Sequence, residues 1–204
     1  MQSNYIVVEG NIGVGKTTLA QKLSDYLEAQ LVLETFSDNP YLSKFYQNSK
    51  DFALPTELWF FMERYEQLKV LDYSNNKIVA DYSSEKSNIF SGINLTGEDQ
   101  HLFDKITENI KERLPKPDLF IYLHAPIAQL KNNIKQRGRA YEQNISNSYL
   151  EQIQNAYQSV LKSQNKVLII EMTNVDFEKE NHFKQVVDFL EKGYDFFQHI
   201  LNIE

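Results

Sequence analysis

The sequence predicts an α/β fold: a five-stranded parallel sheet with helices on both faces. Three observations carry that prediction. Apolar, β-rich runs at 4–9, 31–34, 77–82, 118–124 and 166–171 alternate with helical patterns along the chain. A glycine-rich loop, Gly10-Asn11-Ile12-Gly13-Val14-Gly15-Lys16-Thr17, joins the first strand to the first helix. No repeat, low-complexity linker or shift in composition divides the 204 residues, so a single domain over 1–204 is expected.

The first strand is the run Asn4-Tyr5-Ile6-Val7-Val8. The loop after it fits G-x-x-x-x-G-K-[ST], in which the curled backbone turns successive N–H groups toward phosphate oxygens. Lys16 supplies a positive charge for the β- and γ-phosphates, and the Thr17 hydroxyl a ligand for Mg²⁺. A helix starting at Thr17, followed directly by Thr18, adds its positive end to the same spot. Leu19, Ala20, Leu23, Tyr26 and Leu27 give that helix its apolar stripe. A glycine-rich turn with no ligand would not need these flanks.

The second strand ends at Glu34 and the third at Asp81. In such sheets the chemistry gathers at the carboxyl ends of strands. Glu34 is therefore a candidate proton acceptor, against a solvated loop acid as the plain alternative. Asp81, closing Lys77-Ile78-Val79-Ala80, stands where an acid acts on Mg²⁺, usually through water. A helix over 55–72 places Glu57 and Arg64 on one face, two turns apart. An exposed pair there would contribute little. Pro115 and Pro117 end the helix before the fourth strand.

Past a helix that starts near Pro126 come Arg137-Gly138-Arg139. Two of the chain's four arginines lie here, which favours a mobile lid over phosphates, about 137–144, over a basic helix end. The four histidines show no metal-ligand spacing.

The composition narrows the class. A net charge of −7 argues against a broad nucleic-acid surface, though not against a small phosphorylated ligand. No cysteine is present, which excludes disulfides and thiolate catalysis. No apolar run approaches a membrane span, and strand one begins within four residues, so a cytoplasmic protein is expected.

Taken in order, these motifs resemble the deoxynucleoside kinases, above all their bacterial deoxyadenosine/deoxyguanosine branch. The likeness runs from Tyr5 to about Phe177. It rests on Val8-Glu9 with the glycine-rich loop, Glu34 with Asp38-Asn39-Pro40-Tyr41-Leu42 and Phe45-Tyr46, and Ala53-Leu54-Pro55-Thr56-Glu57 with Arg64-Tyr65. Asp81-Tyr82 with Phe90, Arg137-Gly138-Arg139 with Glu142, and Asp176-Phe177 complete it.

The resemblance implies a P-loop kinase fold, ATP as donor with Mg²⁺, a small deoxynucleoside as acceptor, and a homodimer formed through a helix bundle. It implies Glu34 as general base toward the 5′-hydroxyl, and Tyr46 and Glu142 as the holders of the 3′-hydroxyl. It implies that Phe90 stacks on the base, that Arg137 and Arg139 stabilise the transferring phosphate, and that Asp176 and Phe177 pack by the donor adenine.

Departures from the family pattern are informative. Asp81 is commonly followed by Arg, but here by Tyr82, with Lys86 as the candidate replacement charge. A lid arginine of some relatives is Asn133. Where relatives often carry Gln and Asp, this chain has Glu57 and Ser87, with Arg64 retained. An ionised Glu only accepts hydrogen bonds, which suits the two adjacent donors of guanine. The sequence therefore predicts a purine acceptor, deoxyguanosine favoured.

A thymidylate-kinase-like enzyme shares the loop and fold, but its phosphorylated acceptor needs arginines, and between 30 and 100 only Arg64 is present. A GTPase fails at the fourth place of Asn165-Lys166-Val167-Leu168. A non-catalytic nucleotide-binding regulator could lose Glu34, which is present.

Overall fold

The computed structural model describes residues 4–111, 113–193 and 197–203. Strand β1 (Tyr5–Gly10) leads into α1 (Lys16–Leu27) and then β2 (Gln30–Val32). A helical arm follows, α2 (Leu42–Gln47) and α3 (Ser49–Lys69), before β3 (Ile78–Ala80). Next come α4 (Glu85–Asn94), α5 (Gly97–Lys111), β4 (Leu119–His124), α6 (Ile127–Arg137) and α7 (Asn147–Ser163). β5 (Val167–Glu171), α8 (Glu180–Glu191) and β6 (Gln198–Asn202) close the chain.

Among the described residues, all the strands lie in one parallel sheet of order β2-β3-β1-β4-β5-β6. The side-chain period of two splits its core into halves. Ile6, Val8, Ile121, Leu123, Leu168 and Ile170 face α1, α6 and α8 through Leu19, Leu23, Leu130, Ile134 and Val186. Tyr5, Val7, Phe120, Tyr122, Val167 and Ile169 face α3, α4 and α7 through Leu68, Ile89, Ile153, Tyr157 and Leu161. A third cluster, Phe45, Ala53, Phe61, Leu95 and Phe103, ties the helical arm together.

Two expectations are corrected. The sheet has six strands, not five: β6 is an edge strand whose exposed Gln198, His199 and Asn202 leave too weak a pattern to read. The helix predicted over 55–72 begins at Ser49 and ends at Lys69, with Pro55 inside it. Proline favours a helix start but forbids only one hydrogen bond, and burial of Ala53 and Phe61 on either side of it offsets that loss. No described helix is long and apolar enough to cross a membrane.

Candidate active site

The sheet delivers the glycine-rich loop at its centre, because β1 lies between β3 and β4. Gly10, Gly13 and Gly15 all have positive φ, 146°, 81° and 103°. At Gly10 a Cβ would stand 2.6 Å from the Leu123 carbonyl oxygen, so the tight approach of β1 to β4 admits glycine alone. α1 starts at Lys16, with Gly15 in the left-handed region as its N-cap. Asn11 braces the loop, donating from Nδ2 to Leu150 O at 2.8 Å and accepting from Ile12 N. Asn133 does the same from α6, donating to Gly13 O at 2.8 Å. Val14 packs in the core and Ile12 against it.

Lys16 Nζ donates to the carbonyls of Gly10 and Asn11, both at 3.0 Å. Burial, and then the like charge of Lys86, lower its pKa to about 8. The charges of Glu9, Asp81 and Glu34 oppose that fall, and a bound triphosphate would add to them. Thr17 Oγ1 donates to Asp81 Oδ2 at 2.6 Å, and Asp81 Oδ1 accepts from Glu34 N at 2.9 Å. A hydroxyl beside a carboxylate, next to a phosphate cradle, is a donor set that fits Mg²⁺, which keeps waters and phosphates among its ligands.

Glu34 lies two residues past the short β2 rather than at a strand end. Its carboxyl is gripped from both sides. Lys86 Nζ is 2.6 Å from Oε2, and Arg64 donates to Oε1 from Nε at 2.9 Å and from its second terminal nitrogen at 2.6 Å. Burial alone would raise its pKa; the Lys86 and Arg64 charges outweigh it and bring it to about 2. Tyr82 is fully buried and donates its hydroxyl to Gln67, so Lys86 rather than position 82 brings the charge to Glu34. Arg64 also donates to Ser87 Oγ at 2.8 Å and lies over the Phe60 ring. It does not pair with Glu57. That residue is buried, accepts from Asn94 at 2.7 Å, and is pushed by burial up to about 7.

The arginine segment bends at Gly138, the left-handed C-cap of α6. Both Arg137 and Arg139 pair with the buried Glu142, the latter at 3.2 Å. The Arg139 guanidinium stacks on Phe36, 3.6 Å from the ring centroid, and Tyr141 stacks on Tyr46 of α2. The segment is thereby docked on the loop that follows Glu34. One cleft of about 360 Å³ is lined by Gly13, Gly15, Lys16, Thr17 and Thr18 at one end and by Glu57, Phe90 and Asn94 at the other. Glu34, Asp81, Arg137 and Arg139 line it between them.

The deoxynucleoside kinase family model matches residues 6–193. The chain belongs to the deoxynucleoside kinase family. Its curated relatives include the deoxyguanosine kinase of Bacillus subtilis, 38% identical over 162 residues and 78% of each chain. They also include the deoxyadenosine/deoxycytidine kinase of the same organism, 28% identical over 92% of this chain and 91% of that one. Among solved structures, deoxyadenosine kinase from M. mycoides superposes with a TM-score of 0.77 at 23% identity, covering 92% of this chain and 98% of that one. The protein is therefore a phosphotransferase, with a deoxynucleoside kinase function.

Of the expected site residues, Asp176, Phe177 and Ser87 do not line the cleft, and Gly10, Asn11 and Val14 shape the loop from behind it. Phe177 is in the core, and Asp176 is exposed and holds the turn that leads to α8, accepting from Glu178 N. Ser87 reaches the cleft only through Arg64. The four histidines lie elsewhere: His101 is exposed on α5, His124 bonds Glu171 and Gln154, His182 bonds the Asp176 backbone, and His199 stacks on Phe189.

Sequence reasoning gave no role to Phe36, Asn94, Tyr149 or Glu9. The first three are single polar or aromatic residues with no motif around them. Glu9 carried a signal: an acid inside an apolar strand. It is fully buried, accepting from Ser83 N at 2.7 Å, Ser83 Oγ at 2.9 Å and Tyr157 OH at 2.7 Å. This kinase thus ties the backbone after Asp81 to the strand that carries the phosphate loop.

Proposed function

We propose that the protein transfers the γ-phosphoryl group of ATP to the 5′-hydroxyl of a purine deoxynucleoside, with deoxyguanosine favoured. One observation carries the reading: a phosphate loop and an ionised, doubly clamped Glu34 share one cleft with an aromatic-walled pocket. Lys16 and the loop amides hold the triphosphate. Thr17 and Asp81 are the residues that would hold a Mg²⁺ ion, which would supply neutralising charge to the phosphates. Glu34 orients the 5′-hydroxyl and takes its proton. A carboxylate this acidic is a weak base, but a loose phosphoryl-transfer transition state asks chiefly for positioning.

Tyr46 and Glu142 hold the 3′-hydroxyl, and Phe90 stacks on the base. When the triphosphate enters, Arg137 and Arg139 turn from Glu142 to the transferring group. Arg64 is occupied by Glu34 and Ser87, so the acceptor region keeps no arginine for a substrate phosphate. That observation favours a nucleoside over a nucleoside monophosphate. Glu57 favours guanine, in keeping with the deoxyguanosine kinase activity named for a 38% identical relative. ATP as donor is in keeping with the dATP bound to the M. mycoides enzyme.

The chain forms a homodimer through α3 and α5, which expose Met62, Leu102 and Ile106. Sedimentation of the Leu102→Glu variant as a monomer, against a wild-type dimer, tests this. For the activity, turnover of four deoxynucleosides and their monophosphates with ATP is the test. Phosphorylation of deoxyguanosine first is expected; turnover of monophosphates alone would overturn the reading.

A further inference from the structure

Glu57 is 2% exposed, and its two oxygens are in different situations. Oε1 accepts from Asn94 Nδ2 at 2.7 Å. Oε2 is buried with no hydrogen-bond partner among the described residues. Both side chains line the cleft beside Phe90 and Tyr149. Asn94 is the last residue of α4, and it lines the cleft together with Tyr149 of α7. A buried acceptor without a donor costs free energy, and a base edge in the cleft would remove that cost.

We propose that Asn94 is a specificity-determining residue: it holds one oxygen of the Glu57 carboxyl, leaves the other to the base, and so lets the proton count on Glu57 choose between guanine and adenine. The inference rests on the purine-kinase reading above and deepens it.

The chemistry follows from donors and acceptors. An amide N–H donates only, so Asn94 keeps Oε1 an acceptor, and any proton on Glu57 resides on Oε2. Ionised, the carboxyl offers two acceptors, matching guanine N1–H and its 2-amino group. Protonated, it offers an O–H beside an oxygen with a lone pair to spare, matching adenine N1 and its 6-amino group. Each form leaves a buried mismatch with the other base, the kind of error such sites reject strongly.

The charged and titratable groups around Glu57 are Arg64 on its own helix, Glu34 after β2, Lys86 on α4 and Tyr149 on α7. The two cations are both bound to Glu34, which blunts their pull on Glu57. Burial raises the Glu57 pKa, Asn94 and Arg64 oppose it, and the balance comes to about 7. Both forms are therefore populated near neutrality.

The experiment measures kcat/KM for deoxyguanosine and deoxyadenosine in parallel from about pH 6 to 8.5. The ratio cancels pH effects common to both substrates. In the wild type it is expected to rise by about tenfold per pH unit, as the ionised-to-protonated ratio does. Glu57→Gln should favour deoxyadenosine with a level ratio. Asn94→Leu, which removes support for the ionised form, should move the same rise to higher pH.

Calorimetry of the wild type in buffers of different ionisation enthalpy supplies a readout that needs no variant. Deoxyguanosine binding at pH 7 should release about half a proton and deoxyadenosine binding should take up about half of one, since Glu57 with a pKa of about 7 is half protonated there. A level wild-type ratio, turnover confined to one purine, or an Asn94→Leu profile superimposable on the wild type overturns the inference. Failure to phosphorylate any deoxynucleoside would instead overturn the function on which it rests.

Discussion

The Lys86 ammonium lies 2.6 Å from Glu34 Oε2, across the same carboxyl that Arg64 holds by its other oxygen. The pair stands in for the charge that Tyr82 does not provide. With a pKa of about 2, Glu34 stays ionised at any working pH, so kcat at saturating substrate should show no acid limb from it above about pH 4. Lys86→Met leaves burial opposed by Arg64 alone, and the carboxyl pKa then rises. An acid limb should appear in that variant's kcat profile. Glu34→Gln should lose roughly 10²–10⁴ in kcat with ATP affinity kept, as read by calorimetry. A profile for Lys86→Met identical to the wild type would separate Lys86 from Glu34.

Thr17 and Asp81 are tested by the metal. Their contact at 2.6 Å places a hydroxyl and a carboxylate together at the mouth of the loop. Asp81 acts through water in this reading, and removing such an outer ligand typically costs about 10–100-fold in metal affinity. The Mg²⁺ concentration that half-activates Asp81→Asn should rise by that order. Nucleotide binding without metal, which depends on Lys16 and the loop amides, should change little.

How far the sequence reaches depends on distance along the chain. The phosphate loop was legible because strand, glycines, lysine and helix are contiguous, and all act through the backbone. Glu34 and Asp81 were legible as residues at strand ends, although β2 stops at Val32. The partner of Arg64 was not legible. Helical spacing points to Glu57, whereas the observed acceptor, Glu34, is thirty residues away on a loop. Asn94 and Tyr149 meet Glu57 only after α4 and α7 pack on the sheet. β6 escaped because an exposed edge strand has no buried face to impose alternation.

Glycine substitutions measure the backbone argument directly. At Gly10 a Cβ would meet Leu123 O at 2.6 Å and Val14 Cγ1 at 2.9 Å, on a backbone with φ of 146°. Gly10→Ala should destabilise by roughly 3 kcal/mol or more, since overpacking and an unfavourable φ act together. In a chain of this size that is a fall of about 6–12 °C in Tm. Gly92, exposed in α4, meets nothing within 4 Å, and Gly92→Ala should instead stabilise by about 0.5–1 kcal/mol. Calorimetric melting of the two variants side by side makes the comparison.

Glu57 also makes a prediction about stability that is independent of any substrate. Burial raises its pKa from 4.5 to about 7, so the folded state binds a proton that the unfolded state releases. The folded protein therefore loses stability as pH rises from about 5 to 8, and below 4.5 this group has no effect. The depressed Glu34 acts with the opposite sign, but its stabilisation is lost only as pH falls from 4.5 toward 2. Lys16, half-buried and lowered to about 8, is a penalty that fades only above about pH 8. The window from 5 to 8 thus separates Glu57 from Glu34 and Lys16, and the comparison with a Glu57 variant cancels the four histidines. Glu57→Gln should flatten the slope, and at pH 8 should be more stable than the wild type by on the order of 3 kcal/mol. Denaturant unfolding at pH 5 and pH 8 reads the difference. An equal slope in the two proteins would mean that Glu57 is ionised throughout and that its environment already compensates the charge.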